Sequence, residues 1–386
     1  MKIALLIYGP LDTISGGYLY DRKLVEHLRG CGDEVSIILL PWSNYSRHLT
    51  HNFSRRLYRQ LRHADYDVLL QDELNHPSLF WLNGRLRPHL TYPIISIVHH
   101  LRTSEQHPAW LMPLYRTVER RYLQTAAAFI ANSHTTHQAI QQLLHPQERG
   151  SFAPSPSQGE GWGEGSVPTL IATPAGNRLN LTLTPAAIQQ RARQPGPLRL
   201  LFIGNLIPRK GLHHLLTAVS QLPPHTVHLD IVGHTGVSPT YTRHIQQQIS
   251  QHNLQTNLTL HHYLPDNQLA QLLLHSHLLV VPSTYEGFGI VYLEGMAAGL
   301  PAIATTAGAA PEIIQHNHNG LLLEVGDTAS LAHHLHHLHH HRDHLTRLSH
   351  NALAHYQTQP TWAESMSRIR HFLLELVKVR GTARQK

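Results

Sequence analysis

Residues 278–306 read LLVVPSTYEGFGIVYLEGMAAGLPAIATT. An apolar run, Leu278–Val281, ends at Pro282 and a polar loop. An apolar helical pattern follows from about Phe288 and stops at Gly299, just before Pro301. The stretch Pro301–Thr306 then reads as another short strand. Strand, loop, helix and strand in so few residues make a βαβ unit, whose two strands must lie parallel.

The same alternation fills the chain. In the first half the strand candidates are KIALLIY, EVSIILL, YDVLLQD, PIISIVHH, AAAFIANS and TLIAT. In the second half they are LRLLFIGN, HLDIVG, LTLHHYL, LLVVPS, PAIATT and GLLLEV. Continuous apolar strands with helices between them belong to parallel sheets covered on both faces. Six per half predict an α/β protein of two doubly wound, Rossmann-like domains, with ligands at the carboxyl ends of the strands in the interdomain cleft.

At 386 residues the chain is too long for one ordinary core. The expected divisions are residues 1–190 and residues 197–360, joined through ARQPGPL (Ala192–Leu198). Residues 361–386 form an amphipathic helix and a basic tail. PSPSQGEGWGEG (Pro154–Gly165) is low-complexity and predicts a disordered insert at about 152–167. No apolar run approaches the roughly 20 residues that span a bilayer. The single cysteine, Cys31, excludes an internal disulfide and fits a reducing, cytoplasmic setting.

The net charge is +7, with arginines gathered in SRRLYRQLRH (Ser54–His63) and YRTVERRYL (Tyr115–Leu123). Such clusters attract phosphates or an anionic membrane surface, although a solvated helix face explains any one of them. No nucleic-acid-binding signature accompanies them, so nucleic acid is not expected as a partner. The chain holds 36 histidines, nine of them in LAHHLHHLHHHRDHLTRLSH (Leu331–His350). Leucines at helical spacing place those histidines on the outward face of an amphipathic helix, so compositional drift explains them better than a metal site.

The loops after the strands carry the candidate chemistry. With the helix starting near Phe288, the N–H groups of Gly289 and Ile290 are free and the helix dipole favours a phosphate there. Gly287 and Gly289 let backbone approach a ligand closely. Glu286 lies just outside the helix and Glu294 about two turns inside it, which suits hydroxyls on both sides of a phosphate group. In LFIGNLIPRKGLHHLLTAVSQL (Leu201–Leu222), Gly204 starts the turn, and Arg209 and Lys210 make a diphosphate clamp. Gly16 and Gly17 open the first helix, and His99 and His100 end the fourth strand. No Gly-x-Gly-x-x-Gly is present, so a dinucleotide fingerprint is not supported.

These segments, in this order, resemble family 4 of the retaining glycosyltransferases, with the GT-B fold of two facing Rossmann-like domains. The likeness runs over essentially the whole chain. It rests on EGFGIVYLE (Glu286–Glu294) with AGLPAIATTAGAAPEII, on GNLIPRKGLHHLL, FIANSHTTHQAI and TPAGNRL, and on the closing TWAESM. It implies a nucleoside-diphosphate sugar donor, hexosyl transfer with retention, a glycan, lipid-linked or small-molecule acceptor, and no metal or other cofactor. By the resemblance, Glu286 contacts the donor sugar, the N–H groups of Phe288, Gly289 and Ile290 line sugar and diphosphate, and Glu294 holds the ribose. Arg209 and Lys210 neutralise the diphosphate. Gly17 lies near the phosphates and His99 near the transferred sugar, with His100 as the alternative. The C-terminal helix crosses back to the first domain. Two features depart from the family: the low-complexity insert, and VGHTG, which keeps Gly233 but spaces its glycines by two residues.

Other readings stand beside this one. Sugar-nucleotide epimerases share the fold but need acid–base carboxylates, of which the sequence shows no pair beyond the two glutamates. A donor-binding scaffold disabled by the insert and a histidine-rich metal-binding protein are the non-enzyme readings.

Overall fold

The computed structural model describes residues 1–146, 167–179, 181 and 183–384, with side chains as far as residue 380. Apart from Val167, the insert expected at 152–167 lies outside the described residues. The chain divides into two compact units: Met1–Thr173 with Ala363–Lys386, and Pro174–Trp362.

The first unit is built on β1 (Lys2–Tyr8), β2 (Glu34–Leu40), β3 (Val68–Asp72), β4 (Ile94–Val98), β5 (Ala128–Ala131) and β6 (Thr169–Ile171). These pair in the order β2-β1-β3-β4-β5-β6, parallel throughout. Ile3–Tyr8 and the whole of β3, β4 and β5 are buried, as their near-continuous apolar sequence requires. The edge strand β2 instead mixes buried, half-buried and exposed residues. The order reverses between β1 and β3, which opens a crevice at their carboxyl ends.

The second unit holds β7 (Leu198–Ile203), β8 (Val227–Val232), β9 (Leu258–His261), β10 (Leu278–Val280), β11 (Ala302–Thr305) and β12 (Gly320–Leu323). Their order is β12-β11-β10-β7-β8-β9, again all parallel. Counted from β7, this is the 3-2-1-4-5-6 order of dinucleotide-binding sheets, with its reversal between β7 and β10. Every strand expected from the sequence is found.

Two expectations need correction. The boundary falls at Thr173–Pro174 rather than near residues 190–197. The reason lies in the helix Pro185–Ala192, whose Ile188 and Ala192 are buried within the second core. Its Arg191 guanidinium donates to the carbonyls of Leu274 and Gly299, at 3.1 and 2.9 Å. The histidine-rich stretch is two helices, Thr328–His340 and Arg342–Gln357, not one. His341 breaks them with a non-helical backbone, and the leucines divide into two buried faces.

The loops that follow β7 and β10 meet backbone to backbone. Gly211 has φ +69°, and a Cβ on it would lie 1.9 Å from the Pro282 carbonyl oxygen. Gly211→Ala therefore combines left-handed strain with a clash that no side chain can relieve. We expect it to destabilise by about 3 kcal/mol or more, read as a lowered thermal midpoint. Gly30→Ala, with nothing within 4 Å, is the control that stays near wild type.

Candidate active site

In the second unit the turn after β7 and the loop after β10 place a cationic pair against a glutamate. Pro208–Lys210 forms a single 3-10 turn, closed by Gly211. The Lys210 stem passes over Gly204, so that a Cβ there would lie 3.4 Å from its methylenes. Gly233, after β8, has no room for a Cβ either, which would come within 1.9 Å of the Gly204 carbonyl oxygen. Gly204, Gly233 and Lys210 are thus held in one tight cluster.

Lys210 Nζ donates to Glu286 Oε1 at 2.5 Å, and Ser283 Oγ donates to the same oxygen at 2.6 Å. Arg209 Nη1 donates to the Tyr285 carbonyl at 2.9 Å and stands 3.8 Å from Glu286 Oε2. Burial alone would raise the Glu286 carboxyl, but Lys210 and then Arg209 outweigh it and hold it below the usual carboxylate range. The Thr284 N–H donates to the Arg209 carbonyl at 2.7 Å, and the Ala309 N–H to the Glu286 carbonyl at 2.8 Å. Backbone bonds therefore fix both sides of the ion pair.

The adjoining helix runs Ile290–Ala297, two residues later than the expected start near Phe288. Gly289 is its N-cap with φ +96°, a conformation that glycine alone adopts freely, and a Cβ would lie 2.4 Å from the Tyr292 ring. No side chain caps this N-terminus. The Phe288 side chain enters the core, so its backbone is what it offers a ligand. Gly287 is buried beside Glu286. Glu294 is 3% exposed, and its Oε1 accepts from Arg178 Nε at 2.8 Å. Burial raises the Glu294 carboxyl, and Arg178 acts against that rise.

In the first unit His99 directly follows β4, and its ring lies on Gly17, where a Cβ would meet the ring at 3.1 Å. Gly16 is exposed at the first position of its helix. His99 Nε2 is 3.3 Å from Asp21 Oδ1, with Tyr20 edge-on at 5.2 Å. Asp21, Asp72 and His99 are all buried and offer ligand atoms within 4.8 Å of one another. Burial opposes charge on His99, yet the hydrogen bond and charge of Asp21, then Asp72 and Glu73, raise it to about 9. His100 instead faces Glu105, 3.0 Å away.

Asp21, Asp72 and Arg178 were missed in the sequence. Asp21 had a signal: it takes a core-facing place in the repeat with Leu24, Val25 and Leu28. Arg178 had none, because its partners Glu294 and Asp266 are remote in sequence.

A doubly wound sheet with cations and a glutamate at its switch point defines an α/β protein whose ligand site is expected at the carboxyl ends of its strands. Residues 184–355 match the family model for glycosyl transferases group 1, and residues 20–154 that for glycosyltransferase family 4. The chain belongs to the family 4 glycosyltransferases, with the GT-B fold. It is 48% identical over 66 residues to the N-acetyl-alpha-D-glucosaminyl L-malate synthase of Bacillus anthracis, 17% of each chain. It is 27% identical over 282 residues to an MMP alpha-(1->4)-mannosyltransferase of Mycolicibacterium hassiacum, 68% of this chain and 59% of the relative. The chain thus matches less than two thirds of the length of either. Among solved structures, sucrose-phosphate synthase from Thermosynechococcus elongatus superposes with a TM-score of 0.78 at 20% identity, covering 98% of this chain and 99% of the other. Anabaena HepE in complex with UDP and glucose gives 0.73 at 19% identity, over 97% and 100%.

Asp21→Asn should lower the His99 pKa from about 9, because it removes the largest effect that opposes burial and leaves only Asp72 and Glu73 to do so. The folded value lies above the unfolded one. The stability that Asp21 supplies is therefore complete below pH 6.5 and lost as pH rises through about 9. NMR titration of the His99 ring, assigned against His99→Gln, checks this. A wild-type value below 6.5 would overturn it.

Proposed function

We propose that the protein transfers a hexose from a nucleoside-diphosphate sugar to an acceptor, with retention of configuration and without a metal. The observation that carries this reading is the set of Arg209 and Lys210, both partly buried, on the buried Glu286 at the switch point of the second sheet, beside an uncapped helix N-terminus. The HepE complex, with its UDP and glucose, supports a donor of that class.

In this reading the diphosphate lies on Arg209, Lys210 and the N–H groups of Phe288, Gly289 and Ile290. The glycines Gly204, Gly233 and Gly287 let backbone approach it. Glu286, ionised and with Oε2 away from Lys210, accepts from sugar hydroxyls. Its other oxygen is engaged by Lys210 and Ser283, which suits binding better than nucleophilic attack. As the bond from sugar to phosphate breaks, negative charge grows on the leaving diphosphate, where the two cations and the helix dipole already point. That oxygen then takes the acceptor hydroxyl's proton while the hydroxyl oxygen bonds to the sugar on the same face. Glu294 holds the ribose. Within the first unit, Gly16, Gly17 and His99, a cation held by Asp21, are the candidates for binding the donor.

One observation favours a second reading. Asp21, Asp72 and His99 are buried together with ligand atoms within 4.8 Å of one another, which supplies titratable groups of the kind a sugar-nucleotide epimerase needs.

A panel of UDP-, GDP-, ADP- and dTDP-sugars, scored by thermal shift and donor turnover in EDTA, tests both. One donor should stabilise the protein and turn over, with Lys210→Ala slowing turnover about 100-fold and Glu294→Ala weakening donor binding roughly tenfold. An epimerised sugar nucleotide as sole product would shift the assignment to the second reading. Failure of every donor would favour the scaffold.

We also propose an anionic membrane surface as a partner of the first unit at the cytoplasmic face. No described helix is long and apolar enough to cross a membrane. Trp42, Phe53 and Trp110 are 63%, 66% and 78% exposed. Phe53 stacks near Trp81, and Arg55, Arg56, Arg59 and Arg62 are exposed on the helix Arg55–Arg62. Vesicles containing phosphatidylserine should bind the protein at low salt and release it at high salt, and Phe53→Ser should weaken binding. Equal binding to neutral vesicles would rule the electrostatic contact out.

A further inference from the structure

Arg178 has no role in the reaction as described, yet it is the residue that Glu294 meets. It sits in the 3-10 turn Asn177–Leu179, and the chain before it is pressed onto the Glu294 helix. A Cβ on Gly176 would lie 2.7 Å from the Leu293 backbone, the residue preceding Glu294. Asn177 Oδ1 accepts from the Trp362 N–H at 3.1 Å and steadies the same turn. From there the guanidinium spans two carboxylates. Nε donates to Glu294 Oε1 at 2.8 Å, and Nη1 donates to Asp266 Oδ1.

The arrangement is asymmetric. Asp266 opens the helix Asp266–His275 and is half exposed, so it needs no cation. Glu294 is almost wholly buried, and Arg178 is its hydrogen-bond partner among the described residues. Asp266 is therefore the anchor and Glu294 the group being held. A lysine, as a point charge, could not span both partners with the same geometry.

We propose that Arg178 is a positioning residue for the donor's nucleotide. By occupying Glu294 Oε1 it turns that carboxylate so that Oε2 meets the ribose hydroxyls, and so sets a preference for ribo- over 2′-deoxyribonucleotides. This rests on the reading of Glu294 as the ribose ligand. Without Arg178, burial raises the Glu294 carboxyl unopposed except by solvent. A protonated Glu294 donates one bond instead of accepting two. Nucleotide affinity of an Arg178 variant should then rise with pH, as Glu294 ionises, over a higher pH range than in the wild type.

Calorimetric titration with UDP and 2′-deoxy-UDP, on the full chain, tests the idea without an acceptor. The wild type should bind UDP roughly tenfold tighter than the deoxy form. Arg178→Gln should lose roughly tenfold for UDP and little for 2′-deoxy-UDP, so that discrimination collapses. Arg178→Lys should recover part of it. Equal losses for both nucleotides, or discrimination that survives in Arg178→Gln, would overturn the proposal. If Arg178→Gln does not fold, Arg178→Lys decides: intermediate discrimination supports the role and unchanged discrimination removes it. Glu294→Gln separates the two layers. If it leaves discrimination intact, the ribose reading itself fails. If it abolishes discrimination while the Arg178 variants do not, only the present inference fails.

Discussion

Lys210 and Glu286 share a hydrogen bond in a part of the second unit with little access to water. Neither charge is tolerable there without the other, since an unpaired buried charge costs several kcal/mol, about 3–5 on removal of its partner. The pair therefore dictates how closely the loops after β7 and β10 must approach, and the glycines stand where backbones touch. Gly211 meets Pro282, Gly233 meets Gly204, and Gly308 meets Glu286 itself. Well-packed apolar residues of equal volume would stabilise such a junction as well or better. The ion pair is thus better explained by what it offers a ligand than by what it adds to the fold.

The first unit uses the opposite balance of charge. Its switch point gathers Asp21, Asp72, Glu73 and Glu119, all buried, around His99, His76 and Arg102. Glu119 accepts from the Arg102 and Thr103 N–H groups at 2.6 and 3.2 Å and from Thr103 Oγ1, and so ties down the turn that follows His99 and His100. Burial pushes both Glu73 and Glu119 up to about 8, which favours the protonated form of each near neutral pH. His76 Nδ1 lies 2.8 Å from Glu73 and is kept neutral by the same burial. Acidic groups in this unit hold a histidine charged and a loop in place. In the second unit cations hold a glutamate charged.

The strands were legible because burial on both faces leaves an unbroken apolar signature, and a parallel sheet buries nearly every strand that way. The glycines were legible for a related reason, since a tight turn after a strand admits few other residues. What the sequence concealed is pairing. Arg178 with Glu294 and Asp266, and Asp21 with His99, join residues separated by dozens of positions, and no local pattern records such a partner. The boundary was misplaced for the same cause. ARQPGPL has linker chemistry, but Arg191 just before it closes the carbonyl ends of two helices of the second unit, which only the folded chain displays.

The scarcity of acid gives these pairings further meaning. The chain has only 24 aspartates and glutamates, and among the described residues seven of them are buried: Asp21, Asp33, Asp72, Glu73, Glu119, Glu286 and Glu294. Acidic residues are ordinarily among those least often buried. Of the 31 lysines and arginines, Arg191 alone is buried among the described residues. Histidine and glutamine occupy many exposed positions, where a solvated side chain is cheaply exchanged. The buried acids stand where loss of one would leave a partner uncompensated. Six of the seven lie in the two switch-point clusters or on the helix beside one of them, and the seventh, Asp33, joins the N-terminus to Arg370 of the last helix. In a chain this depleted of surface acid, a carboxylate still present in the interior marks a constraint, and most of those constraints converge on the strand ends where ligands of such sheets bind.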